Sequence, residues 1–291
     1  MVKFENLKME QVALANFAYN KFSLDYTLDS FQRLGVHNIE FYCAYPHFYL
    51  EDSSLWDMKV LRRKLREHEL NVIDVCPENC TYPMNLGSAD PAVRERTFRT
   101  YVKGIEAAVE WDCTRCLFFP GWTTFDGSQE EAWLYGKDAM ARLADIAEVN
   151  GVKIIMESAS SASTVLTSIK KMKQMIDEIN SPALSGMLDL VCLFITGDTT
   201  KDAVATLGMN NINHIHFSDG QLLPDGSWER LVPGQGKLPL EDILKILSDN
   251  HYPFYFGCEM FNRYKKNPEE AMRQTLEWCR ERFTGGENGT R

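Results

Sequence analysis

The sequence predicts a single (β/α)8 barrel, and three observations carry that prediction. Eight short apolar runs, each of strand length and rich in Val, Ile, Leu or Phe, recur along the chain as strands buried on both faces would. Segments of helical period separate them, and eight strands alternating with eight helices require crossovers and hence a parallel sheet. The length of 291 residues suits a closed barrel of about 250 residues. An open doubly wound sheet is the competing fold, but no G-x-G-x-x-G follows the first run.

In order, the runs are Val12 to Phe17, Asn38 to Cys43, Asn71 to Cys76, Arg115 to Phe119, Val152 to Glu157, Leu184 to Leu190, Ile212 to Phe217 and Phe254 to Glu259. After the first, Leu24, Leu28, Phe31 and Leu34 form a helical stripe that Gly35 ends. After the third, Asp90 reads as an N-cap and Pro91 as a first-turn proline, opening a long helix to about Asp112. Before the eighth, Leu240, Ile243, Leu244 and Leu247 follow i, i+3, i+4, i+7 spacing. Neither a linker nor an internal repeat interrupts the series. Residues 1–284 are therefore expected to form one catalytic barrel, and residues 285–291 a flexible tail.

Composition narrows the function classes. Lys and Arg number 31 against 41 Asp and Glu, a net charge of −10, and no basic block of five or more residues exists, which argues against a nucleic-acid partner. No apolar run approaches the ~18 residues of a membrane span. The N-terminal MVKFENLKME carries two glutamates and no apolar signal region, so a cytoplasmic location is expected. Eight cysteines are too dilute for a disulfide scaffold, and Cys43, Cys76, Cys116, Cys192 and Cys258 fall in apolar segments where a thiol acts as a small hydrophobe. Cys113-x-x-Cys116 lacks the second pair or the histidine that a zinc site needs.

Chemistry in a barrel of this kind is built at the carboxyl ends of the strands. Strand five ends in Ile154-Ile155-Met156-Glu157, strand six in Gly186-Met187-Leu188-Asp189, and strand eight in Phe256-Gly257-Cys258-Glu259, while strand seven contains His214-Ile215-His216. A carboxylate after apolar residues is costly unless paired or coordinated. Four consecutive strand ends with metal-capable side chains therefore point to a site for one divalent cation. Three carboxylates and an imidazole suit Mn2+ best, with Mg2+, Co2+ or Zn2+ as alternatives. Side chains alternate along a strand, so His214 and His216 face the same side; His216, nearer the mouth, is assigned as ligand and His214 as a supporting residue. Glu40, inside strand two, is expected to pair within the barrel.

The segments I-I-M-E, M-L-D-L, H-I-H-F-S-D, V-P-G-Q-G-K-L-P-L and F-G-C-E-M resemble those of the xylose-isomerase-like barrel superfamily of sugar isomerases and epimerases, over residues 8 to 283. N-I-E-F-Y-C-A-Y-P-H, C-P-E-N-C-T-Y-P-M-N and the PGQGK loop are most similar to fructoselysine 3-epimerases and, more distantly, ketose 3-epimerases. The resemblance implies metal ligands at Glu157, Asp189, His216 and Glu259, in agreement with the residue-level reading. It also implies that Glu157 and Glu259 are catalytic, removing and returning a proton on opposite faces of a carbon beside a metal-held ketone, through an enediolate. Ketose 3-epimerases carry a substrate-contacting histidine three residues after the metal-binding aspartate, where Cys192 stands here. They also carry an arginine six residues after the metal-binding histidine, where this chain has Leu222 and a longer loop, with Arg230 the nearest candidate. Both departures count against a free ketohexose. His47, Glu78 and Trp122, just beyond strands two, three and four, complete the expected substrate-binding set with Cys192 and Arg230.

The leading expectation is thus a metal-dependent epimerase or isomerase of a ketose or keto-sugar derivative, forming a homo-oligomer. The absence of a Lys or Arg cluster at the strand ends favours neutral or amine-bearing substrates over phosphorylated ones. The alternative is a lyase on the same barrel, splitting a C-glycoside of a 3-keto sugar or dehydrating a sugar acid, for which a small partner subunit would be expected. An abasic-site endonuclease would need several more than the six histidines present, and a non-enzymatic binding barrel is the plain alternative.

Overall fold

In the computed structural model, which describes residues 2–78, 84–158 and 163–285, all eight runs are strands of one closed parallel barrel. They are β1 (Val12–Ala15), β2 (Asn38–Cys43), β3 (Asn71–Pro77), β4 (Arg115–Leu117), β5 (Lys153–Met156), β6 (Leu184–Asp189), β7 (Ile212–His216) and β8 (Tyr255–Cys258). Each pairs in parallel with its neighbours in sequence, and β8 closes the ring on β1 through Phe256 opposite Val12 and Cys258 opposite Leu14. Outside the barrel, Phe4–Lys8 lies parallel to Phe283–Thr284 and ties the two ends of the described chain together.

The helices among the described residues are α1 (Leu24–Arg33), α2 (Leu55–Glu67), α3 (Pro91–Glu110), α4 (Gln129–Val149), α5 (Ile169–Ile179), α6 (Leu190–Thr196), α7 (Thr200–Leu207), α8 (Leu240–Asp249) and α9 (Pro268–Arg280). That is one more than strict alternation predicts, because the crossover from β6 to β7 carries both α6 and α7. Ser23 caps α1 by accepting from the Tyr26 N–H at 3.2 Å, Leu28 and Phe31 turn inward, and Gly35 takes φ +69° to leave the helix. Asp90 caps α3 by accepting from the Ala92 N–H at 2.8 Å with Pro91 in the first turn. That helix stops at Glu110, and Asp112 swings to φ +57° to turn the chain into β4.

The main core lies between the helices and the outer face of the barrel. A smaller apolar cluster, Ala15, Phe17, Cys76, Leu117, Phe119, Ile155, Met187 and Cys192, is separate from it, with Tyr42 packed on it. Its members sit on or just beyond β1 and β3–β6 near the carboxyl ends, so it makes an apolar floor beneath the mouth. All seven described cysteines are buried, as small hydrophobes should be, while Cys80 lies outside the described residues. Residues 286–291, most of the expected tail, also lie outside them. Among the described residues no helix is long and apolar enough to cross a membrane.

Beyond β7 the chain adds an antiparallel hairpin, Asp219–Leu222 with Trp228–Leu231, whose register sets Arg230 opposite Gly220. The buried Asp219 carboxylate fixes its base by accepting four backbone N–H groups: Gly220 at 2.8 Å, Leu238 at 3.0 Å, Gly234 at 3.0 Å and Gly236 at 2.9 Å. A side chain at Gly236 would sit 2.2 Å from Asp219 Oδ1, so the glycine in the PGQGK loop serves this close approach.

Candidate active site and metal centre

The site is built upward from β2 and β7. Glu40, fully buried in β2, accepts from His214 Nε2 at 2.9 Å with one carboxylate oxygen and from His216 Nε2 at 2.9 Å with the other. Glu40 thus pairs within the barrel and His214 supports from below, both as the strand pattern predicts. A Cβ on Gly257 would fall 2.2 Å from Glu40 Oε2 and 2.6 Å from His214 Nε2, so β8 carries glycine where this pair crosses it.

With Nε2 committed to Glu40, His216 turns Nδ1 toward the mouth. There it lies 3.3 Å from Glu259 Oε2, 3.5 Å from Asp189 Oδ2 and 3.8 Å from Glu157 Oε2. Asp189 is also the N-cap of α6, accepting from the Cys192 N–H at 2.7 Å with Oδ1, which locks the carboxylate and aims Oδ2 into the site. The structure therefore brings together all four side chains expected as ligands.

Their chemistry fits a hard or borderline cation. His216 Nδ1, Asp189 Oδ2 and Glu259 Oε2 are buried without a hydrogen bond of good geometry, although Arg230 Nη2 stands 2.6 Å from the Asp189 oxygen and 2.9 Å from that of Glu259. Native interiors seldom bury several donor atoms without well-made hydrogen bonds, and here three point at one place. Donors about 2.1 Å from a tetrahedral ion stand about 3.4 Å apart, close to the spacings around Nδ1. Glu157, Asp189 and His216 each offer an atom within 4.8 Å of the others.

The charges respond to this crowding. Burial, reinforced by the negative charge of Asp189, pushes Glu157 up to about 8. Burial opposes ionisation of Asp189 as well, but Arg230 and His216 outweigh it and hold that carboxyl below its usual range. Burial would keep His216 neutral, yet the charges of Glu259 and Glu40 and the nearby carboxylates hold it well above the usual imidazole value. Without a cation, the site keeps protons on the imidazole and on Glu157.

Arg230 supplies the remaining positive charge. Its Nη2 lies 2.6 Å from Asp189 Oδ2 and 2.9 Å from Glu259 Oε2, and its guanidinium stands 5.1 Å over the Phe261 ring. The longer loop after His216 folds as the hairpin and brings this arginine back to the site. Cys192 sits in the apolar floor with burial, and then Asp189 and Glu157, raising its thiol well above the usual value, so it stays protonated. Glu78 accepts a hydrogen bond from the Tyr42 hydroxyl, and the Tyr42 ring stacks on Phe17 at 4.3 Å. Trp122 lines a separate cleft of about 390 Å³ between the loops after β3 and β4, its backbone clamped by Asn85.

His47 departs from its expected role. It is buried, Nδ1 accepts from Asn16 Nδ2 at 2.7 Å, and Nε2 donates to the Phe22 carbonyl at 3.2 Å with Thr27 Oγ1 also at 3.2 Å. Neither ring nitrogen is left to bind or protonate a substrate. The sequence reading also passes over Phe17, whose ring stands edge-on to His216 at 6.4 Å and to Phe261 at 5.5 Å, and Asp219, which anchors the hairpin. Asp74 is the third omission: it is paired in register with Glu40, fully buried, and neither carboxylate oxygen has a hydrogen-bond partner. Charged residues inside apolar strand runs are the signal that marks Glu40 and Asp74.

Fold and site together define a (β/α)8 barrel that gathers side chains able to hold a cation at the carboxyl ends of β5 to β8. A family model described as xylose isomerase-like TIM barrel matches residues 28–282, and the chain belongs to that family. A fructoselysine 3-epimerase of Shigella flexneri is 22% identical over 260 residues, covering 89% of this chain and 93% of the relative. Among solved structures, D-psicose 3-epimerase in the presence of D-fructose superposes with a TM-score of 0.76 at 17% identity, over 93% of this chain and 98% of that one. The IOLI protein with a bound zinc atom superposes with a TM-score of 0.75 at 18% identity, over 93% and 97% of the two chains.

Proposed function

We propose that this protein is a divalent-metal-dependent epimerase or isomerase of a ketose or keto-sugar derivative. The observation that carries the reading is the convergence of three buried donor atoms, on His216, Asp189 and Glu259, beside Glu157 at the mouth of the barrel. These four residues would hold the cation, with Mn2+ the first choice for three carboxylates and one imidazole. When bound, it supplies Lewis-acid polarisation of a ketone oxygen, which acidifies the neighbouring C–H.

The remaining work falls to the chain. Glu157 and Glu259 come from β5 and β8, on different sides of the mouth, so one would take the proton from the carbon beside the ketone and the other return it on the opposite face. Glu40 holds His216 in one orientation through Nε2. Arg230 can shift from Asp189 and Glu259 to a developing oxyanion, for which a guanidinium is suited. Phe17, Tyr42 and the apolar floor keep bulk water from a transient carbanion.

The test is a panel of ketoses, fructosamines and 3-keto glycosides incubated with Mn2+-loaded protein in deuterated water. Inversion of one centre with deuterium at that carbon is the expected outcome. Release of a second molecule with no inversion on any member would instead make the protein a lyase and refute the epimerase reading.

A further inference from the structure

A second cavity, of about 390 Å³, opens beside the site and shares Cys192 and Arg230 with it. Ile195 of α6, Leu223 and Trp228 of the hairpin region, and Phe261 beyond β8 form its walls. The surface around it is apolar. Phe194, 44% exposed, packs edge-on to Trp228 with ring centroids 5.7 Å apart, and Leu222 is 58% exposed. Large hydrophobic side chains gathered in the open around one cavity mark a binding surface, because each would otherwise be costly to leave in water.

Charge narrows the occupant. Arg263 at the edge is already paired with Glu229 at 2.7 Å, and Arg230 is held by Asp189 and Glu259. Both of the cavity's cations are thus matched by carboxylates, which leaves little attraction for a phosphate or a carboxylate ligand. Continuity with the site decides what enters: a molecule held by the four ligand residues can extend past Arg230 and the small Cys192 side chain into this space.

Resting on the epimerase reading, we propose that the cavity receives an apolar substituent carried by the keto sugar, an aromatic or branched aliphatic group joined through nitrogen or oxygen. The substrate class is therefore a substituted keto sugar, and the free ketose is the poorer ligand. Ile195, Trp228 and Phe261 are its specificity-determining residues.

Calorimetric titration of the Mn2+-loaded protein with two pairs of probes tests this: N-methyl against N-benzyl fructosamine, and methyl against phenyl 3-keto-glucoside. The bulkier member of at least one pair should bind at least ~10-fold tighter, about 1.4 kcal/mol, and the pair that shows it tells nitrogen from oxygen linkage. Ile195→Arg and Trp228→Ala should each abolish the preference while metal content and affinity for the methyl member change less than about twofold. Equal affinity within both pairs, or a preference that survives both substitutions, overturns the proposal. So does a lack of preference combined with a change of oligomeric state in Ile195→Arg by light scattering, which would give the patch to a second copy of the chain. Solvent deuterium exchange on the same probes separates the two ideas. Exchange without preference leaves the epimerase reading standing and removes the cavity's role, whereas preference with no exchange on any probe does the reverse.

Discussion

Replacing Glu40 by Gln should weaken metal binding by about five- to thirtyfold, the equivalent of about 1–2 kcal/mol, without unfolding the barrel. Glu40 is fully buried and spends both oxygens on donors, His216 Nε2 and His214 Nε2, each at 2.9 Å. An isosteric amide has one oxygen, so one of these contacts becomes a clash of donors unless a ring changes tautomer. If His216 changes, its Nδ1 takes the proton and is lost as a ligand. If His214 changes, His216 keeps its orientation but loses a charge-assisted hydrogen bond. Such bonds contribute about 1.5–3 kcal/mol against about 0.5–1.5 for neutral ones, a loss of about 1–2 kcal/mol. Removing the carboxylate also eases deprotonation of His216, which favours the metal, but a doubly charged cation feels the lost negative charge more strongly than a proton does. The assay is competition with a chromophoric chelator for Mn2+, with circular dichroism to establish folding. His216→Ala, which deletes the ligand itself, should release the metal with the fold intact and sets the scale. A dissociation constant for Glu40→Gln within threefold of the parent would refute the role given to Glu40.

Metal affinity should rise with pH, because the cation must displace protons that the raised values of His216 and of Glu157, at about 8, keep in place; calorimetry in buffers of different ionisation enthalpy should show proton release, and a flat profile from pH 6 to 9 would contradict it. Cys192→Ser should alter turnover by less than about tenfold, or about 1.4 kcal/mol, since a buried, protonated thiol packs rather than reacts; a loss of several orders of magnitude with metal retained would place the thiol in the chemistry. Burial, then the charge of Glu40, raises Asp74 well above 3.8. The folded protein therefore holds a proton that the unfolded chain releases, and its stability declines as pH climbs from about 4 toward the folded value. Asp74→Asn cannot ionise, so chemical denaturation should show it gaining at least ~1 kcal/mol on the parent between pH 5 and pH 8; an unchanged difference would show that Asp74 is ionised and paired.

The sequence by itself determined the barrel, the order of its strands and the residues at their carboxyl ends. Doubly buried strands must be apolar, and a carboxylate or imidazole closing four such runs stands out against that background. It also placed the cap at Asp90, because capping is a local matter of a few residues. Tertiary structure alone decided how distant elements meet. Glu40 and His214 lie 174 residues apart and become partners only when the ring closes. Arg230 reaches the site because Asp219 pins a hairpin that spacing alone does not foretell, and His47, placed at the rim by its position after β2, is turned inward by Asn16 and Thr27. Local sequence sets backbone preference and the face a side chain takes; which partner waits on that face depends on packing across the barrel, where burial forces every polar group to find one.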